Sequence, residues 1–261
     1  MNLRPALSFL ILSCLLGCNA PTASPGSPAK TTSGVTPPET PSAAVTPPPA
    51  SNAVDSAVKT AEKPNPSPGA IPAELKHEGY AYYGLGFNAP MNMEIVTSSG
   101  GGTRTGSQTT TLKEIKNGAA IYGIERTGGL AELGSMEVRL EKSGIFVHSS
   151  PLAKIGPNDV EVPAALKFGT HWLSTSEIDK PGQKLKIVST FKVVRFEKIK
   201  TKRASYNALL ITSTGSGTMN GEKISMDTKS WYVKDRGNVK AIILTKTNKG
   251  KSSTVSMQET P

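Results

Sequence analysis

The chain has 261 residues, with 30 Lys and Arg against 20 Asp and Glu, a net charge of +10. Hydrophobic residues make up 36% and aromatic residues 5%, and 14 of the 20 prolines fall before residue 73. These figures exclude a coiled coil, a multipass membrane protein and a dinucleotide-binding enzyme. They predict one folded domain of about 190 residues behind a long unfolded stretch, a size ample for independent stability.

The chain opens with Arg4 and an apolar run from Ala6 to Leu16. That run is too short to span a bilayer but suits a secretion signal. Leu15-Leu16-Gly17-Cys18 follows at once, and it resembles the bacterial lipobox, with Leu at −3, a small residue at −1 and the cysteine whose thiol is lipidated. A second match, Ile11-Leu12-Ser13-Cys14, would leave a shorter apolar run, so Cys18 is the expected lipidation site and residues 1–17 the signal peptide. The mature chain then keeps no free thiol, which excludes disulfides, thiolate zinc sites and cysteine nucleophiles together. Acyl chains on Cys18 would anchor the protein to a membrane. Asn19 stands where an Asp commonly retains proteobacterial lipoproteins at the inner membrane, so an envelope location is expected, at the outer membrane if the organism has two.

Residues 18–72 hold the lipidated cysteine and a linker of Pro, Ala, Ser and Thr, including Pro37-Pro38 and Pro47-Pro48-Pro49. With no periodic apolar pattern to bury, this stretch cannot offset its ordering entropy. A flexible chain of that length reaches roughly 40 Å, so it reads as a tether.

The texture changes at Ala73. Runs that alternate apolar with polar residues and are rich in Val, Ile, Thr, Tyr and Phe predict antiparallel strands. They cover Met91–Thr97, Gln108–Ile115, Ala119–Arg126, Met136–Glu141, Gly144–His148, Trp172–Glu177, Lys184–Ile199, Tyr206–Ser213, Lys223–Val233, Val239–Lys246 and Ser252–Gln258. Hairpin turns are expected at Asn117-Gly118, Asn220-Gly221 and Asn248-Lys249-Gly250, where positive φ comes cheaply. Ser98–Gly106 reads as a loop and Gly215-Ser216-Gly217 as a hairpin end. No segment holds a helical stripe for three turns. In the long strand the apolar residues fall on odd positions up to Val193 and on even ones from Phe196, which predicts a bulge near Arg195. Residues 73–261 are therefore expected to form an all-β domain, a single curled antiparallel sheet closed as a sandwich or half-barrel.

Three segments recur in a familiar order: Phe168-Gly169-Thr170-His171-Trp172, then Arg203-Ala204-Ser205-Tyr206-Asn207-Ala208, then Trp231-Tyr232 followed by Gly237-Asn238-Val239-Lys240. Over Val162 to the end the chain resembles the TapB-like bacterial envelope proteins of unknown function. Ser205 and Tyr206 depart from that family's Gly-x-Phe step. The resemblance implies an antiparallel β domain in the envelope and no activity. Read physically, Trp172 and Trp231 are core anchors, and Gly237 occupies a turn that a β-carbon would oppose.

No catalytic motif is present. Ser216 lacks the nucleophile-elbow spacing, Gly84-Leu85-Gly86 lacks a third glycine, and His77, His148 and His171 show no paired spacing. Glu177 and Asp179 share a face only if their strand passes Ile178, and Lys180-Pro181-Gly182 predicts that it does not. No enzyme activity, metal or cofactor is expected.

Two features point to binding. Lys198, Lys200 and Lys202 recur at every second position with Arg203 beside them, a row suited to an anionic envelope polymer or lipid, or else to protecting a sheet edge. Nucleic acid is not an expected partner. Tyr80, Tyr82, Tyr83, Phe87, Met91 and Met93 form either the first core strand or an apolar groove. The function expected from the sequence is a tethered, non-catalytic binding or structural module. The alternative is a carrier or sensor that holds a lipid or other apolar ligand on a curved sheet, and a more distant one is an envelope hydrolase.

Overall fold

The computed structural model describes residues 71–99, 101–152, 154, 160–180 and 183–261. The expected signal peptide, the expected lipidation site Cys18 and nearly all of the expected linker lie outside the described residues. Strands β1 (Met91–Thr97), β2 (Gly102–Lys116), β3 (Ala119–Gly128), β4 (Met136–Glu141), β5 (Gly144–Ser149) and β6 (Val160–Pro163) form one antiparallel meander. A second comprises β7 (His171–Lys180), β8 (Gln183–Lys200), β9 (Ser205–Met219), β10 (Glu222–Val233), β11 (Gly237–Thr247) and β12 (Ser252–Glu259). β1 pairs with β12, Ile95 opposite Met257, and fuses the two meanders into one 12-stranded sheet. β6 and β7, neighbours in the chain, become the two edges. The sheet is thus a nearly closed antiparallel half-barrel.

Alternation fills the interior. Successive strands send every second side chain to the concave side: Met91, Met93 and Ile95 from β1, Met136, Val138 and Leu140 from β4, and Val239, Ala241 and Ile243 from β11, all buried. Most of these belong to one continuous apolar cluster that takes residues from every strand but β2, whose half-buried Leu112 and Ile115 pack against it. The turns follow their chemistry. Asn117-Gly118 and Asn220-Gly221 have φ of 53° and 74°, and 50° and 80°, the left-handed pair of a two-residue hairpin. Gly237 sits at φ 101°, where a β-carbon would come within 2.9 Å of the Tyr83 carbonyl oxygen.

A short helix, α1 (Glu78–Tyr83), lies against the sheet where a first core strand was one of the expectations. His77 caps it: Nδ1 accepts from the Tyr80 amide at 3.1 Å, while Nε2 lies 2.9 Å from the Glu141 carbonyl oxygen. That pair of bonds needs the neutral ring with its proton on Nε2, and burial holds the His77 pKa below its ordinary value. Gly84 ends the helix in the left-handed region at φ 77°. The helix bridges the two meanders. Gly79 donates to the Ala164 carbonyl beyond β6, Glu78 accepts from the Leu166 amide at 2.8 Å, and Ala81 accepts from the Asp235 amide at 2.8 Å in the β10–β11 turn. Tyr80 and Tyr83 pack on the core from α1, and Met91 and Met93 from β1. Among the described residues the cavities lined by Tyr83, Met91, Met93 and Asn238 measure about 20 and 10 Å³, no more than a water each.

Three expected loops are corrected. Gly102–Gly106 belongs to β2, where Gly106 is opposite Met93. Gly215-Ser216-Gly217 lies within the C-terminal part of β9, paired on both sides. The glycines are there because the neighbouring strand is close: a β-carbon on Gly217 would lie 1.9 Å from the Lys186 carbonyl oxygen. β7 continues to Lys180 and does not stop at Ile178, because β8 pairs with it along its whole length. The expected bulge is present, as a register shift between Val193 and Arg195. β6 had no counterpart in the sequence reading.

Candidate functional site: a basic arm folded over the sheet

The bulge in β8 coincides with the end of its pairing to β7. His171 is opposite Lys192, and the Val193 backbone then bonds to Thr170 and Gly169, both ways at 2.9 Å. β9 in turn loses β10 after Leu209, which is opposite Tyr232. Residues 195–200 and 205–208 therefore continue as a two-stranded arm, joined by a turn that Thr201 holds. The Thr201 Oγ1 accepts from the Arg203 and Ala204 amides at 3.2 Å each, and its side chain is buried.

The parity change at the bulge decides which way the arm faces. Beyond it, Arg195, Glu197 and Ile199 share a face with Leu210, Ala208 and Tyr206. That face packs on Trp231, Val233 and Ile242 on the convex side of the sheet, a second and smaller apolar cluster. Trp231 is an anchor as expected, but of this cluster and not of the main core. Its Nε1 donates to Glu197 Oε1 at 2.6 Å, and Lys240 lies 5.7 Å from its ring centroid. Trp172 packs on the main core, stacked 5.2 Å from Phe191.

Charge fastens the arm tip. Lys202 Nζ lies 2.5 Å from Glu94 of β1, and Arg203 lies 3.6 Å from Glu259 of β12. The Glu259 side chain is fully buried; it accepts from Tyr206 Oη at 2.7 Å and forms an ion pair with Arg236. Arg236 also lies 4.7 Å from the centroid of Phe87. The donors have their electrostatic effect. The bond from Lys202 holds the Glu94 carboxyl below its ordinary range, and the bond from Trp231 does the same for Glu197. Burial, followed by the bond to Glu259, raises the Tyr206 phenol.

Of the four basic residues singled out in the sequence, two are thus used within the fold. Lys202 stands in the turn, beyond the end of β8, and Lys202 and Arg203 both have acidic partners. Lys198 and Lys200 lie on the opposite face of the arm, exposed, and no ion pair holds either among the described residues. Phe196 leads the same face at 45% exposure and meets Phe168, 60% exposed, edge-on at 5.6 Å between ring centroids. The sequence places Phe168 in a motif and Phe196 at the parity change but does not by itself bring the two together. For Phe196 the signal was the parity change, which puts it on the face of Lys198 and Lys200.

The remaining candidates are dispersed. His77 caps a helix, His148 is exposed near the end of β5, and His171 begins β7 with Nδ1 3.4 Å from the Gly169 carbonyl oxygen. Among the described residues no three His, Cys, Asp or Glu side chains gather as a metal site. A surface groove of about 380 Å³ crosses β2–β4. Three of its polar groups are engaged with one another: Glu137 accepts from Lys113 at 3.1 Å and from Ser149 at 2.9 Å.

No family model matches the chain, including the stretch from Val162 whose motifs resemble the TapB-like proteins, and no curated protein matches it. Solved structures give distant likenesses. An exported-protein candidate with YmcC-like fold from Bacteroides fragilis is 12% identical over 66% of this chain and 95% of its own, with a TM-score of 0.38. A lipoprotein candidate from Parabacteroides distasonis is 8% identical over 65% and 92%, with a TM-score of 0.42. The hypothetical lipoprotein YmcC from Escherichia coli is 10% identical over 67% and 89%, with a TM-score of 0.34.

Proposed function

We propose that the chain is an envelope lipoprotein, anchored through Cys18 and sorted by Asn19 to the outer membrane where there is one. On this reading residues 19–72 are its tether and its half-barrel is a non-catalytic binding module for an anionic envelope component. The observation that carries the binding role is the arm. Lys198 and Lys200 project from a strand pinned to the sheet by Glu94, Glu197 and Glu259, and neither has an acidic partner among the described residues. Alternate positions on a strand stand about 7 Å apart, a spacing that suits repeated phosphates or carboxylates more than one compact ligand. The module's own +9 charge favours such a partner. An apolar ligand held beside Met91 and Met93 has less support, because the cavities lined by those residues measure about 20 and 10 Å³.

Sedimentation with purified lipopolysaccharide and peptidoglycan tests the binding. It should fall steeply from low to high salt, since the Debye length at physiological ionic strength is about 8 Å. Lys198→Gln with Lys200→Gln should lower it at every salt concentration while the thermal midpoint stays in place. Absence of binding at low salt would end this reading. The anchor is tested separately, as Cys18→Ser should release the protein from the membrane fraction.

A further inference from the structure

We infer that the arm's outer face docks on an anionic lipid bilayer, with Phe168 and Phe196 entering the headgroup layer and lysines meeting the phosphates. This deepens the proposed function by naming the partner, and it rests on Lys198 and Lys200 being binding cations. Five large hydrophobic side chains are exposed among the described residues, and both phenylalanines in that set touch each other. Tyr82 of α1 extends the group, its ring centroid 6.2 Å from that of Phe196. A soluble surface gains nothing from leaving two adjoining aromatic rings in water.

The charges around the rings have one dominant sign. Lys198 and Lys200 follow Phe196 along the same face, at about 7 and 13 Å, and Lys167 precedes Phe168, exposed. The arm's own acid, Glu197, faces the other way and is bound to Trp231. Two further acids lie near Tyr82, namely Glu78, whose carboxylate accepts the Leu166 amide, and Asp235 in the β10–β11 turn. A charged polymer would require the lysines alone. A bilayer interface accepts both halves of the pattern, apolar rings at the headgroup boundary and ammonium groups at the phosphates. The arm is also suited to bear the load, being tied to the sheet through Glu94, Glu259 and Trp231.

The test uses the processed chain, residues 18–261, with Cys18→Ser so that no acyl chain carries it to membranes. It should float with phosphatidylcholine vesicles containing phosphatidylglycerol and not with phosphatidylcholine alone. Phe168→Ser should weaken that binding about tenfold, and each of Lys198→Gln and Lys200→Gln about fivefold, with unchanged thermal midpoints. Phe168→Trp keeps an aromatic ring and should bind at least as well, its added emission shifting to the blue on vesicles. Binding that salt abolishes but that Phe168→Ser leaves untouched would overturn docking by insertion and leave the anionic-component reading standing. Binding to soluble dextran sulfate as tight as to vesicles, with no blue shift in Phe168→Trp, would assign the face to a polymer. Failure to bind either vesicles or polyanion would overturn both readings.

Discussion

The molecule has two apolar clusters, and they are held by different forces. The main core, inside the half-barrel, takes alternate side chains from eleven of the twelve strands, with β2 packed against it, and is mostly aliphatic. The smaller cluster between the arm and the convex face has three fully packed members, Ala208, Leu210 and Trp231, and the arm that covers it is also held by Trp231 to Glu197, Tyr206 to Glu259, Lys202 to Glu94 and Arg203 to Glu259. Burial of apolar area depends little on pH or salt, whereas ion pairs depend on both. One chain therefore carries a sheet held chiefly by apolar burial and an arm whose small apolar contact is reinforced by ion pairs. The binding face proposed above lies on the second.

Removing the buried charge should test this difference most severely. Glu259→Ala leaves Arg236 half-buried without its carboxylate and Tyr206 without its acceptor, and should cost about 3–5 kcal/mol. Leu140→Ala, in the main core and fully buried, should cost about 2–5 kcal/mol. Size alone does not separate the two, but place does. Amide exchange should speed up in residues 205–208 first for Glu259→Ala, and across β3–β5 for Leu140→Ala. Equal loss of protection everywhere in both variants would mean that arm and sheet are a single cooperative unit.

Acid should separate the regions without mutation. The carboxyls of Glu94 and Glu197 titrate below their ordinary 4.5 in the folded protein. Their contribution is therefore complete above pH 4.5 and is lost as pH falls through the lowered folded values. Exchange at 195–208 should rise in that window, as should exchange around Glu137 of β4, which the bonds from Lys113 and Ser149 hold below its ordinary range, while β11 stays protected. His77 has the same sign at higher pH. Its folded pKa lies below 6.5, so the α1 cap is fully effective above 6.5 and weakens as pH drops from there. Exchange at the Tyr80 amide reads this out.

The smallest effect belongs to the exposed end of the latch. Lys202 is half-exposed, so Lys202→Met should cost no more than about 1 kcal/mol. It should also let the Glu94 carboxyl rise toward its ordinary value, which a carboxylate chemical-shift titration would detect. A larger loss would make the tip, and not Glu259, the main fastening.

Much of the sheet was legible because strand periodicity is a local signal. Met91–Thr97 and Met136–Glu141 match β1 and β4 to the residue, since apolar side chains recur at every second position; β4 alternates throughout, and β1 departs from alternation only at Glu94, which is buried as well. The bulge at Arg195 was legible for the same reason, as an inserted residue inverts the alternation. β6 was not, because Val160–Pro163 is too short to establish a period. α1 was misread because Tyr80, Tyr82 and Tyr83 favour strands in isolation, and only the cap by His77 and the bonds to Ala164 and Asp235 make six residues helical. At the candidate site, the lysine spacing was visible but its allocation was not. Nothing local distinguishes Lys198 from Lys202, which differ in having Glu94, 108 positions away, as a partner.

The sequence by itself determined that this is an antiparallel β protein with hairpins at Asn117-Gly118 and Asn220-Gly221, because alternation and positive-φ turns are written within a few residues of one another. The tertiary structure decided what no local pattern encodes. It joined β1 to β12, made chain neighbours β6 and β7 the two edges, set glycines where β8 crowds β9, and folded the arm back onto Trp231. Each of these depends on contacts between residues far apart in the chain, whose energy appears only once the sheet has curled enough to bring them together.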